Sequence, residues 1–78
     1  MERRFRKALF ALAREASDAP DLRARFDDFI AEVRSHPAPV RPYPDEVRDT
    51  LLALSFRPEV AADLHRRYRD ARVGSSAA

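Results

Sequence analysis

The sequence predicts an all-α fold, a compact bundle of three to four short antiparallel helices. Three observations carry that expectation. Apolar residues recur at spacings of three and four, the period of a helix with one buried face. Proline stands where helices would begin, at Pro20, Pro44 and Pro58. No run alternates apolar with polar residues and β-branched enrichment, so strands are not expected.

The first helix is expected from about Arg3 to Ala16. At 100° per residue, Phe5, Ala8, Leu9, Leu12 and Ala16 share one face. The second is expected from about Pro20 to Ser35, with Asp18 as its N-cap. Leu22, Phe26, Phe29 and Val33 fall in a narrow arc, with Ile30 beside it. The third is expected from about Pro44 to Phe56, opened by Asp45 and Glu46, which suit the positive end of a helix dipole. Val47, Leu51 and Leu54 point inward there, and Leu52 points the other way, as if the helix were covered on two sides. The fourth is expected from about Pro58 to Arg72, with Val60, Leu64, Tyr68 and Ala71 on one side.

Between the second and third helices lies HPAPVRPYP. Pro37, Pro39, Pro42 and Pro44 suggest an extended, polyproline-like strap, read as a stiff linker; a ligand for a proline-binding module is the second reading. A single domain is expected over 1–73, followed by a frayed, flexible tail over 74–78.

A chain of 78 residues buries only about 60–65% of its unfolded surface, so its core is marginal. It has no cysteine, which removes disulfides, thiolate metal sites and cysteine nucleophiles together. Its single glycine, Gly74, leaves no glycine-rich phosphate loop. His36 and His65 are the only histidines, one beside the proline strap and one on the polar side of the fourth helix. The carboxylates Asp27, Asp28 and Glu32 read as a solvated face paired with Arg23, Arg25 or Arg34. No catalytic residue, metal ligand or directly bound cofactor is expected, and the chain is not read as an enzyme. No apolar run approaches the ~20 residues of a membrane span.

The net charge is +2, but it is unevenly spread. Residues 1–16 carry five basic and two acidic groups, residues 17–56 five and eight, and residues 57–78 five and three. The ends are basic and the middle is acidic. On the first helix, Arg3, Lys7 and Arg14 lie opposite the apolar face, with Arg4 and Arg6 flanking it. Phe10 points into this basic side. Such a surface suits an acidic protein partner that meets the charges while an apolar spot covers the ring. Packing of Phe10 under the fourth helix or the strap is the other reading. An interfacial membrane helix and a mitochondrial import signal both fit the pattern less well, because the apolar face of this helix is needed against the second.

The other basic cluster is HRRYRDAR, with Arg66, Arg67, Arg69 and Arg72 around Tyr68. These four are the alternative, a nucleic-acid contact along phosphates. A recognition helix reads bases near its N-terminus, however, and that end carries Glu59, Val60, Ala61, Ala62 and Asp63. The plainer reading is a solvated last turn with Tyr68 half buried. A third reading is a structural subunit with no ligand.

The triplet Arg4-Phe5-Arg6 running into KALFALARE, with Glu32-Val33-Arg34 further on and PDLRARFDDFIAEVRSH as a second helix, resembles the LYR-motif superfamily of mitochondrial accessory and assembly proteins. The likeness covers about residues 3–56. Arg6 and Arg34 match the motif; Arg4, Phe5 and Val33 stand where members have leucine, tyrosine and phenylalanine. The resemblance implies an accessory subunit in the mitochondrial matrix; without it the expectation is a soluble intracellular protein. It implies docking on an acyl carrier protein, with Arg6, Arg3, Lys7 and Arg4 meeting carboxylates. The carrier's acylated phosphopantetheine would then enter the bundle, and Leu9, Leu12, Phe26, Phe29, Ile30 and Leu51 would line its tunnel. Without an acyl chain these six form an ordinary core.

Overall fold

The first helix, α1, spans Arg3–Ala16 and buries Phe5, Leu9, Leu12 and Ala16, the stripe that a 4-3-4 spacing puts on one face. The second, α2, spans Leu22–Arg34 and buries Phe26, Phe29, Ile30 and Val33. Next comes a 3₁₀ turn over Ala38–Val40, then α3 over Pro44–Ala53 and α4 over Pro58–Ala77. This computed structural model describes residues 2–77, with side chains described for 2–37 and 39–72. The described residues hold four helices and no strand, an all-α bundle.

Contacts at both ends of the first pair fix its direction. Arg25 of α2 lies 3.6 Å from Glu15 near the end of α1, and Arg4 near the start of α1 meets His36 just past α2. So α1 and α2 are antiparallel. Between α2 and α4 the order differs. Arg23 pairs with Asp63 and Asp27 with Arg67, so both numbers rise together and these two helices run the same way. The bundle is therefore two helical hairpins laid side by side, α2 against α4 and α1 against α3. One cluster fills the space between, with Phe56, Ala61, Leu64 and Tyr68 added to the α1–α3 residues. The Cα radius of gyration, 11.6 Å, is what a tightly folded chain of this length requires, about 11.5 Å.

Several boundaries move from their expected places. Helix α2 begins at Leu22, not Pro20, and Asp18 does not cap it. Residues 19–22 form a turn instead, with Leu22 N donating to Ala19 O at 3.1 Å. Asp21 stands at the N-cap position and gives its carboxylate to Arg25 at 3.0 Å. Helix α3 stops at Ala53, three residues early, because Ser55 enters the left-handed region at φ 69°. Phe56 N donates to Leu51 O and Ser55 N to Leu52 O, the paired bonds of a Schellman stop. That turn drops Phe56 into the core. Helix α4 buries Ala61 rather than Val60, and runs to Ala77, past the expected end at Arg72. Of the tail expected over 74–78, Ala78 lies outside the described residues.

The strap is not extended throughout. A proline φ near −65° suits polyproline and 3₁₀ geometry equally. What decides is a bond from Val40 N to Pro37 O at 2.9 Å, which closes a turn. Arg41 then donates to His36 O and to Arg34 O, covering carbonyls that the end of α2 leaves open.

Candidate functional site

The outer side of α1 emerges from simple helical geometry. The face that buries Phe5, Leu9 and Leu12 necessarily turns Arg3, Arg6, Lys7, Phe10 and Arg14 outward. Glu2, Arg3, Arg4, Arg6, Lys7 and Phe10 line one open depression of about 730 Å³. Phe10 is 50% exposed, so neither α4 nor the strap buries it. Its ring is flanked by the Arg14 guanidinium, 6.0 Å from the centroid, which joins Arg14 to the same patch.

Within the patch the cations differ in how they are held. Arg4 lies 4.0 Å from Glu2 and its Nη1 is 2.7 Å from His36 Nε2. Arg3, Arg6 and Lys7 make no hydrogen bond or ion pair with any described residue. Their charge faces solvent. Phe5, the aromatic of the Arg4-Phe5-Arg6 triplet, is fully buried, edge-on to Phe29 and to His36. The exposed aromatic of α1 is Phe10.

The second basic cluster is arranged differently. Arg66 pairs with Asp63 at 2.8 Å, Arg67 with Asp27 at 3.2 Å, and Arg69 lies 3.7 Å from Asp70. Arg72 donates to Pro42 O at 3.0 Å and stacks over the Tyr43 ring. Asp63 receives both Arg66 and Arg23. Its partial burial would raise its pKa, but those two hydrogen bonds and charges outweigh this and hold it below the ordinary value of 3.8. The hydrogen bond from Arg25 lowers Asp21 in the same way. Of the four C-terminal arginines, Arg67 ties α4 to α2 and Arg72 ties it to the strap, while Arg66 and Arg69 pair within α4. Among the three carboxylates expected to pair on α2, Asp27 meets an arginine that comes from α4, Asp28 acts on Arg25 only through its charge, and Glu32 lies 3.9 Å from His36.

Tyr68 is not half buried. It is 1% exposed, and its hydroxyl donates to Pro42 O at 2.6 Å. Burial pushes its pKa above 10.0, against the pull of Arg72 and Arg41. Pro42 O therefore accepts from both Tyr68 and Arg72, a latch between strap and α4 that the sequence did not reveal.

The six residues named as tunnel or core form the core. Leu9, Phe26 and Leu51 are fully buried, and Leu12, Phe29 and Ile30 are at most 8% exposed. An acyl chain would have to displace packed side chains. Among the described residues no cluster of His, Asp or Glu is placed to hold a metal ion, and no helix is long and apolar enough to cross a membrane. No protein-family model, curated protein or solved structure matches the chain.

Proposed function

We propose that this chain is a non-enzymatic helical accessory subunit that docks on an acidic protein through the outer face of α1. One observation carries the reading: Phe10 is half exposed at the edge of a depression whose Arg3, Arg6 and Lys7 have no partner in the described chain. Carboxylates of a partner would neutralise those charges, and an apolar spot would cover the ring. Residues of α1 do two jobs at once, one face holding the core and the other meeting the partner. The arginines Arg66, Arg67 and Arg69 of α4 each lie beside a carboxylate of the same chain, which lowers the net positive charge there and makes the nucleic-acid alternative the second reading.

An acyl carrier protein is the partner that the LYR-motif resemblance implies, and it is the first one to test. The closed core supports surface docking and gives no support to acyl-chain insertion. Isothermal titration with purified acyl carrier protein is the direct measurement. Binding should weaken steeply between about 0.05 M and about 0.3 M salt, as exposed charge pairs do. It should vanish in the Arg3→Ala, Arg6→Ala, Lys7→Ala triple variant. Silence from the carrier protein removes that partner. A triple variant that binds as well as the parent removes the docking face itself.

A further inference from the structure

One apolar residue on the outer side of α3 is only partly covered in this fold. Leu52 is 42% exposed on the outer side of that helix, beside Asp45 and Asp49, whose side chains are 74% and 68% exposed. Phe10 is its counterpart on α1, ringed by cations instead of carboxylates. We infer that the outer face of α3 receives the outer face of α1 from a second copy of this chain.

Register is what favours a second copy. Three residues before Phe10 stands Lys7, and seven before it stands Arg3. Three residues before Leu52 stands Asp49, and seven before it stands Asp45. Helices rise 1.5 Å per residue, so both sets span about 10.5 Å along their axes. Laid parallel with Phe10 on Leu52, the two helices place Lys7 against Asp49 and Arg3 against Asp45. The apolar pair gains cover that neither residue finds in its own chain.

Neighbouring charges moderate the contact without reversing it. Arg48 lies 3.8 Å from Asp45 and 3.3 Å from Asp49, so one guanidinium is shared by two carboxylates. In the paired register it faces Arg6, a like charge that those carboxylates screen. His65 Nε2 also lies 3.2 Å from Asp45. The α3 face around Leu52 thus carries two acids, Asp45 and Asp49, against Arg48, a net of −1. The contact is short and rimmed by exposed ion pairs, which places it among weak, salt-sensitive interfaces. It joins two different patches, so each copy keeps one of each free and association continues past two unless a ring closes.

This inference rests on the reading of α1 as a docking face, and the experiment separates the two. Sedimentation velocity on the whole chain, at about 0.02 M and about 0.3 M salt, reads the average mass against concentration. The expected result is a mass rising above the 8.9 kDa of one chain at low salt and returning to it at high salt. Lys7→Glu and Asp49→Lys should each weaken association at least about tenfold, since each sets like charges opposite one another. An equimolar mixture of the two variants should restore it, because every α1 then finds an α3 of opposite sign. Both sites are exposed, and circular dichroism of each variant checks that the helices persist. A mass fixed at that of one chain under all conditions overturns the inference, as does a mixture that stays monomeric. The Asp49→Lys variant should still bind an acidic protein through α1, so loss of self-association leaves the proposed function standing. Self-association without any acidic partner does the reverse.

Discussion

Ser55 sits at φ 69° in a chain whose single glycine lies elsewhere. A left-handed conformation costs an L-residue with a Cβ roughly 1–2 kcal/mol, and glycine escapes that cost. Glycine also loses more freedom on folding, which returns roughly 0.5–1 kcal/mol. The Ser55 hydroxyl makes no hydrogen bond in the structure, so nothing else is lost. Ser55→Gly should therefore stabilise the fold by about 0.5–1 kcal/mol. For a domain of this size that raises the melting temperature by about 2–8 °C. Thermal melts followed by circular dichroism at 222 nm measure it directly, with Ser55→Val as the opposite control, since a β-branched residue tolerates this φ least. A Ser55→Gly protein that melts at or below the parent temperature would refute the argument. It would mean that Leu51 O and Leu52 O are not held by the Phe56 and Ser55 amides, and that α3 ends some other way.

Four further outcomes follow from named residues. Tyr68→Phe should cost about 1 kcal/mol, because Arg72 still donates to Pro42 O. Combining it with Arg72→Ala orphans that carbonyl, so chemical denaturation should show the double variant losing at least about 0.5 kcal/mol more than the sum of the two. The pKa of Asp63 is lowered on folding, so its contribution is present above about pH 3.8 and is lost as pH falls through the folded value; acid unfolding of Asp63→Asn should show a shallower slope there. The pKa of Tyr68 is raised, so its contribution is complete below pH 10 and is lost as pH climbs through the folded value. Tyr68→Phe should flatten the alkaline limb of a stability–pH profile. Phe10→Ser should change stability by less than about 0.5 kcal/mol in equilibrium unfolding, because the ring is half exposed and carries no core contact that the variant would empty.

Periodicity reads out what repeats and misses what happens once. The stripes Phe5-Leu9-Leu12 and Phe26-Phe29-Ile30-Val33 are legible because a buried helix face must recur every three or four residues. The outward turn of Phe10 follows from the same arithmetic. Its exposure does not, since the helical period leaves open whether a loop or the fourth helix lies over it, and only tertiary structure decides that. The end of α3 is not legible because the strongest sequence sign for a stop, glycine at the left-handed position, is missing; serine fills it. Phe56, placed at the end of a helix by the pattern, is instead the apolar anchor of the stop. The Pro42 latch joins residues 26 and 30 positions apart, beyond the reach of any local pattern. The proline strap misled for a different reason: proline fixes φ, while the difference between extended chain and 3₁₀ turn lies in ψ.

The net charge of +2 does not say where the charge will show, and the ion pairs of the fold answer that. Carboxylates of α2 and α4 meet arginines of the same two helices: Asp21 with Arg25, Asp27 with Arg67, and Asp63 with both Arg23 and Arg66. Those pairs consume basic residues where the sequence looks richest in them, at HRRYRDAR. The first helix has only Glu2 and Glu15 of its own, and Glu15 is turned to Arg25 across the hairpin. Arg3, Arg6 and Lys7 are left uncompensated at one end of the molecule. Pairing inside the bundle thus leaves α1 with a cationic outer face and an aromatic ring at its edge. The sequence holds five basic residues at each end and favours the first helix over HRRYRDAR; in the fold, Arg66, Arg67 and Arg69 each meet a carboxylate, while Arg3, Arg6 and Lys7 meet none among the described residues.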